Sequence, residues 1–212
     1  LNPQAATGAG PIIALMAAGE SRRFGGIKQL AAIHGQPMCR YLALRLLSLS
    51  CPLVVVTGAH AGAVEQSLID LPLQIVRNDD WPRGLGSSIA RAARHVLEVH
   101  AHATGLLVCL ADQPLTAPGH LQRMLARHRE HAHSIIATGH DGRTGPPVLF
   151  PRDMLAELAT WQDARGAHAL LERESGRVEA LDAPESPDVD TREDLMRAVS
   201  LLDDARHGRF LP

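Results

Sequence analysis

Short apolar runs alternate along this chain with longer stretches in which apolar positions recur every three to four residues. The runs cover residues 11–17 (PIIALMA), 53–57 (LVVVT), 73–77 (LQIVR), 105–111 (GLLVCLA), 134–138 (SIIAT) and 146–150 (PPVLF). Several are continuous rather than alternating, the pattern of strands buried on both faces of a parallel sheet. Helical periodicity predicts helices over 38–49, 61–68, 88–99, 118–131 and 192–202. The order βαβαβ, followed by α and β again, predicts a three-layer α/β/α sandwich around a Rossmann-like, mostly parallel sheet. Residues 67–73 and 82–86 read as loops, and 203–212 as a polar, frayed tail. No repeat or linker interrupts the pattern.

Composition narrows the picture. The 212 residues make one domain. Lys+Arg 21 against Asp+Glu 23 gives a net charge of -2, without the basic excess of a dedicated nucleic-acid binder. Aromatics at 3% supply no stacking platform for single strands and leave the core to aliphatic side chains. Cys39, Cys51 and Cys109 fit neither a disulfide framework nor a zinc spacing, and read as small buried hydrophobes in a reducing compartment. No run approaches the ~18 apolar residues of a membrane span, and residues 1–10 lack the charged and apolar regions of a signal peptide. The expectation is a cytoplasmic protein with neither nucleic acid nor membrane as partner. Histidines number 12. His128, His131 and His133 cluster at one helix end and His95, His100 and His102 at another. Without an acid–His constellation they read as solvated helix faces.

Ligands of open α/β sheets bind beyond the carboxyl ends of the strands. The loops at 18–29, 58–62, 78–88, 112–116 and 139–145 are therefore where chemistry is expected. The first is rich in small residues that expose N–H groups to anionic oxygens, and carries Arg22, Arg23 and Lys28 within one short stretch. Arginine forks onto phosphate oxygens and lysine acts as a mobile charge, so a polyphosphate suits this loop. Neither a Walker A motif nor a G-x-G-x-x-G fingerprint is present at this turn. A flexible basic surface loop is the plain alternative.

In the loop at 78–88, Gly84 and Gly86 read as a turn, with Ser87 or Ser88 as cap of the next helix. Trp81 reads as a loop anchor packed on the core. Asp112, just past a buried strand, stands at the ligand edge of the sheet, or merely caps the next segment. Alternation puts Asp188 and Asp190 on one side of an extended segment. Thr191 reads as a helix N-cap, with Asp194 three residues on in a capping-box position.

Together these residues resemble a known pattern. The loop A-A-G-x-S-x-R-x-G-x-x-K, met by Ala17, Ala18, Gly19, Ser21, Arg23, Gly25 and Lys28, is similar to the signature loop of MobA-like nucleotidyltransferases. Its Ala18 resembles the molybdenum cofactor cytidylyltransferase branch more closely than the guanylyltransferase branch, which carries glycine there. N-x-x-W-x-x-G-x-x-x-S is met by Asn78, Trp81, Gly84 and Ser88. D-Q-P is met by Asp112 to Pro114, the closing D-x-D-T-x-E-D-L by Asp188 to Leu195, and G-x-P-x-x-F by Gly145, Pro147 and Phe150. The stretch around Asp163, Gly166 and His168 resembles the family's G-D-x-G-A-R-x-L-L imperfectly. Gln162 replaces a glycine, one residue is inserted, and His168 stands where arginine is commoner.

The resemblance implies a nucleotide-binding half at 11–116 and an acceptor-binding half at 117–202. It implies Arg23 and Lys28 as catalytic residues, and Ala17, Ala18, Gly19, Ser21, Gly25, Asn78, Gly84 and Ser88 at the nucleotide. It implies Asp112, Asp190 and Asp188 at Mg²⁺, and Gly145, Pro147 and Gly166 at the acceptor. The implied reaction transfers CMP from CTP to molybdopterin with release of pyrophosphate, and the product would pass to a molybdenum hydroxylase or its insertion chaperone. Transfer of GMP from GTP, transfer of CMP to a sugar or methylerythritol phosphate, and a non-catalytic carrier or insertion module stay open at this point.

Overall fold

The structure, a computed structural model, describes residues 10–184 and 186–206. Its strands are β1 (Ile12–Ala17), β2 (Ala32–Ile33), β3 (Gln36–Pro37), β4 (Leu53–Thr57), β5 (Gln74–Arg77), β6 (Gly105–Leu110), β7 (Ile135–His140), β8 (Arg143–Pro151) and β9 (Val178–Asp182). Its helices are α1 (Met38–Leu47), α2 (Ala61–Gln66), α3 (Leu85–Val99), α4 (Pro118–Glu130), α5 (Leu155–Leu158), α6 (His168–Arg173) and α7 (Arg192–Arg206).

Alternation within each central strand sorts the core into two layers. Ile13, Leu15 and Ala17 of β1, with Leu53 and Val55 of β4 and Leu107 and Cys109 of β6, face α1, α4 and α7. Ile12, Ala14 and Met16, with Val54, Val56, Leu106 and Val108, face α3, α5 and α6. In α3 the buried Ile89, Ala92, Ala93 and Val96 recur at helical spacing and form the stripe that meets this second layer. A strand covered on both sides has no polar face, which is why these runs read as continuous.

Seven strands form the main sheet in the order β5-β4-β1-β6-β8-β7-β9. All run parallel except β8, which is antiparallel to both β6 and β7. The cause is local. Asp141 and Gly142 both hold positive φ, at 48° and 74°, and His140 pairs with Arg143 across them. A two-residue turn of that conformation joins adjacent antiparallel strands, and Asp-Gly is among its preferred sequences. The stretch 139–145, expected as a ligand loop, is thus largely a hairpin.

Other expectations shift as well. Helix α3 starts at Leu85 rather than at Ser88, because Gly84 (φ 95°) makes the turn and the Leu85 amide bonds to Ala164 O. Ser87 and Ser88 therefore lie inside the helix, which has no side-chain cap bond. Helix α7 continues through residues 203–206, where Asp203 meets His34 at 2.8 Å, so the tail does not begin at 203. The rest of that tail and residues 1–9 lie outside the described residues. His128 is buried against Thr104 rather than solvated, while His131 pairs with Glu179. His95 and His100 share Gln74 as partner. Among the described residues no helix is long and apolar enough to cross a membrane, and no three His, Cys, Asp or Glu side chains gather as a ready metal cage.

Candidate active site

Strand β1 lies between β4 and β6. The chain steps outward from β1 to β4 and β5, then returns by α3 to β6 on the other side. Such a switch point opens a crevice at the carboxyl end of the middle strand. Here the crevice is a cleft of about 470 Å³, bounded by the loop after β1, the start of α3, the residue after β6 and the segment before α7. That volume suits a small-molecule ligand.

The loop after β1 is held from beneath by Gln29, which is 2% exposed. Its Nε2 donates to Gly19 O at 2.7 Å and Ala17 O at 3.3 Å, and its Oε1 accepts from Ser21 Oγ at 2.9 Å. Ser21 sits in the left-handed region (φ 64°), and its Oγ also accepts from the Lys28 amide at 3.3 Å. One buried side chain thus ties both ends of the loop together. Phe24 fills the space beneath the far side. Ala18, Gly19, Ser21, Arg23 and Lys28 border the cleft. Ala17 is buried within β1, and Gly25 serves as the loop's left-handed turn (φ 70°), so neither of these expected nucleotide residues borders it.

Lys28 stands at the centre of the acidic floor. Its Nζ donates to Asp112 Oδ2 at 2.7 Å and to Asp190 Oδ1 at 3.1 Å, and Arg23 donates to Asp190 Oδ2 at 2.6 Å. Arg22 pairs with Glu20. The three acids meet because the amide of Val189 bonds to the carbonyl of Asp112 at 2.8 Å, laying the segment before α7 alongside the end of β6. Val189 is buried, and its neighbours Asp188 and Asp190 turn together into the cleft, as alternation predicts. Thr191 and Asp194 close a reciprocal cap that ends this segment, Asp194 Oδ2 accepting from the Thr191 amide and Thr191 Oγ1 from the Asp194 amide. Gln113 Nε2 donates to Asp188 Oδ1 at 3.0 Å.

Burial opposes charge on Lys28, but the carboxylates of Asp112 and Asp190 outweigh it and raise the ammonium above its ordinary pKa. Its contribution to stability is complete below the ordinary lysine value and is lost as pH rises through the higher folded value. The pKa of Asp188 is raised from its ordinary value, first by burial and then by the charge of Asp112, against the Gln113 bond. A carboxyl shifted upward also contributes stability that is complete at acid pH and lost as pH rises through its folded value. At neutral pH its charge therefore weakens the ligand-free protein. Asp188→Asn keeps an oxygen for Gln113 and removes the charge. Scanning calorimetry is expected to give this variant a higher Tm than the parent at neutral pH, with the gain gone below the carboxylate range. A lower Tm at neutral pH would contradict that account.

Asn78, expected at the nucleotide, is instead a buried clip below the cleft. Its Nδ2 donates to Ser87 Oγ and Ser88 Oγ at 2.9 and 3.0 Å, and its Oδ1 accepts from the Asp80 amide at 3.1 Å. Ser88 and Gly84 border the cleft above it. Asn78→Ala strands these buried groups, at a cost of about 1–3 kcal/mol, and the loss is read as a lower urea midpoint. An unchanged midpoint would show that the clip carries no load. Trp81 packs on the second core layer and also borders the cleft, in space that Gly58 leaves open by lacking a side chain.

The imperfectly matching segment of the distal half folds back over the start of α3. A Cβ on Gly86 would collide with Asp163 O, and one on Gly84 with Ala164 O. Gly166 (φ 90°) packs on Leu85, and its carbonyl accepts from Trp161 Nε1 at 2.6 Å. Gly166 does not border the cleft, and its contacts are those of a brace. Gly86→Ala is expected to displace this segment, detected as faster amide exchange of Leu85, whose N–H bonds to Ala164 O; unchanged protection would refute the close approach.

Gly145 and Pro147 border a second cavity of about 310 Å³ with Gln113, Thr116 and His120. The two cavities meet at Asp112 and Gln113, which are consecutive residues. The division at residue 116 does not separate them, because Asp188 and Asp190 border the first while Gln113 and Leu115 border the second. Gln29 and Gln113 are the residues that sequence reasoning passed over. The signal available was a glutamine directly after each of Lys28 and Asp112.

A family model described as MobA-like NTP transferase domain matches residues 13–178. The nicotine blue oxidoreductase of Paenarthrobacter nicotinovorans is 31% identical over 197 residues, covering 87% of this chain and 94% of that protein. Among solved structures, Rv0371c of Mycobacterium tuberculosis H37Rv superposes with a TM-score of 0.76 at 28% identity, over 92% of this chain and 99% of that one. A manganese complex of Rv0371c gives 0.74 at 25% identity, over 92% of this chain and 100% of that one. A nucleotidyl transferase from Methanothermobacter shares the fold, with a TM-score of 0.78 at 21% identity over 91% and 97% of the two chains.

Proposed function

The chain belongs to the MobA-like NTP transferase family and is a nucleotidyltransferase; on that premise we propose that it transfers CMP from CTP to molybdopterin with release of pyrophosphate. The observation that carries this reading is Lys28 Nζ held between Asp112 and Asp190 beneath the glycine-containing loop. Lys28 and Arg23 are paired with Asp112 and Asp190. An arriving triphosphate offers Lys28 and Arg23 the phosphate oxygens that charge-assisted hydrogen bonds favour, and it frees the carboxylates.

A divalent cation fits the freed acids. Asp112 Oδ1 is buried and has no hydrogen-bond partner, an arrangement that costs stability unless a ligand or ion uses it. Asp112 and Asp190, with Asp188 beside them, would hold Mg²⁺, which prefers oxygen ligands and takes one or two carboxylates along with substrate phosphates. Such an ion neutralises charge on phosphate oxygens when bound. The chain's own part is positioning. The amides near Gly19 and Ser21 cradle the β and γ phosphates, Lys28 and Arg23 stabilise charge as it passes to the departing pyrophosphate, and the turn at Gly84 and Ser88 receives the nucleoside. Attack on the α-phosphorus by the acceptor phosphate needs in-line placement and no covalent enzyme intermediate. The first cleft serves the nucleotide and the second cavity, with Gly145 and Pro147, the acceptor. Three free cysteines fit a cytoplasmic setting, and the product would pass to a molybdenum hydroxylase or its chaperone.

Ala18 favours CTP over GTP. Scanning calorimetry with Mg²⁺ and each nucleotide tests this, CTP being expected to raise the Tm more; an equal or larger shift with GTP would assign the guanylyl reaction. A redox reaction is a second reading, favoured by the name of the Paenarthrobacter relative. Consumption of a reduced nicotinamide nucleotide, without pyrophosphate release from CTP, would establish it instead.

A further inference from the structure

Among the described residues bordering the second cavity, one buried side-chain atom lacks a hydrogen-bond partner. Arg123 donates to His120 Nδ1 at 3.2 Å, which leaves the His120 Nε2 hydrogen for Thr138 Oγ1 at 2.9 Å, and Thr138 in turn donates to Pro147 O at 2.9 Å. Gln113 differs. It is 9% exposed and borders this cavity, and its amide NH₂ is committed to Asp188 of the first cleft. A carboxylate accepts only, so the nitrogen must face Asp188 and the oxygen must face away. That oxygen, Oε1, is buried and has no partner; it is the one such atom among the described residues bordering the cavity.

Resting on the transferase reading, we infer that Gln113 is the specificity-determining residue for the acceptor, its Oε1 receiving an N–H or NH₂ donor from the edge of a planar heterocycle in the second cavity. An orphaned acceptor is complemented by a donor and repelled by an anion. The flat apolar faces of Leu115, Pro146 and Pro147 suit a ring. Gln113 follows Asp112 directly, so a ring bonded at Gln113 reaches with its phosphate toward the floor of the nucleotide cleft. The same side chain then reads the acceptor on one side and steadies Asp188 on the other.

The test is calorimetric titration of the full chain and of Gln113→Met, which keeps the length of the side chain and removes the amide. The probes are a pterin monophosphate, whose ring carries N–H and NH₂ donors, ribose 5-phosphate, which has only hydroxyls, and CTP. The expected result is that the substitution weakens the pterin phosphate about tenfold, as befits one neutral hydrogen bond, leaves ribose 5-phosphate unchanged, and weakens CTP less than the pterin phosphate, through the lost bond to Asp188 alone. Equal weakening of all three ligands, or no binding of the pterin phosphate by the parent protein, would overturn the inference. Binding is measured without turnover, so a failure of the transferase reading shows separately, as CTP that releases no pyrophosphate when the pterin phosphate is bound.

Discussion

Lys28→Met is expected to lower pyrophosphate release by about 10²–10³-fold, the cost of removing one preorganised charge donor from a transition state. Lys28 is the group that touches both Asp112 and Asp190, and its side chain is only 12% exposed, so no neighbouring cation can slide into its place. Arg23 reaches Asp190 alone and from the solvent side. Lys28→Arg keeps the charge, but a planar fork does not fit a slot shaped around a compact ammonium, and its rate should fall between the other two. Steady-state release at saturating CTP measures all three. If Lys28→Met turns over like the parent, Lys28 does no more than neutralise the acids in the ligand-free protein.

Asp112→Asn is expected to produce a loss of similar size through a different ligand. The substitution preserves shape, and the backbone bond from Val189 to Asp112 O is untouched, so the segment before α7 stays in place. What disappears is the carboxylate with the unpartnered Oδ1. The parent protein should show a further rise in Tm when Mg²⁺ or Mn²⁺ is added to the CTP complex, and the variant should show little or none. Release of pyrophosphate should drop about 10²–10³-fold. A variant that keeps both the metal-dependent shift and the rate would remove Asp112 from the metal site.

The sheet was legible in the sequence wherever strands are covered on both faces. The runs at 12–17, 53–57 and 105–110 carry apolar side chains toward two layers at once, and their shortness and Val/Ile content mark them as strands. Strand β9, Val178–Asp182, lies at the sheet's edge with alternate residues half exposed, so its signal is lost among charges. The reversal of β8 was present in Asp141-Gly142, but those residues read equally as a ligand loop until both φ values were known. At the site, the charged residues announced themselves. Lys28 and Asp112 stand in loops that follow buried strands, and Asp188 and Asp190 alternate along the segment before α7. Their supports did not. Gln29, Asn78 and Gln113 act mainly through hydrogen bonds to groups 8 to 75 residues away along the chain, and no local spacing encodes those partners. Gly84 and Gly86 carried a turn signal, yet their tightest requirement comes from Asp163 and Ala164, which pack over them.

The composition near neutrality conceals this concentration of charge. Three cations and four anions meet at one end of the sheet. The reaction itself is tested most directly by incubating the protein with CTP, Mg²⁺ and molybdopterin and following pyrophosphate. The account predicts one pyrophosphate for each CMP joined to the acceptor, and no release when molybdopterin is omitted. CTP left intact in the complete mixture would contradict it, as would a pyrophosphate yield independent of the acceptor.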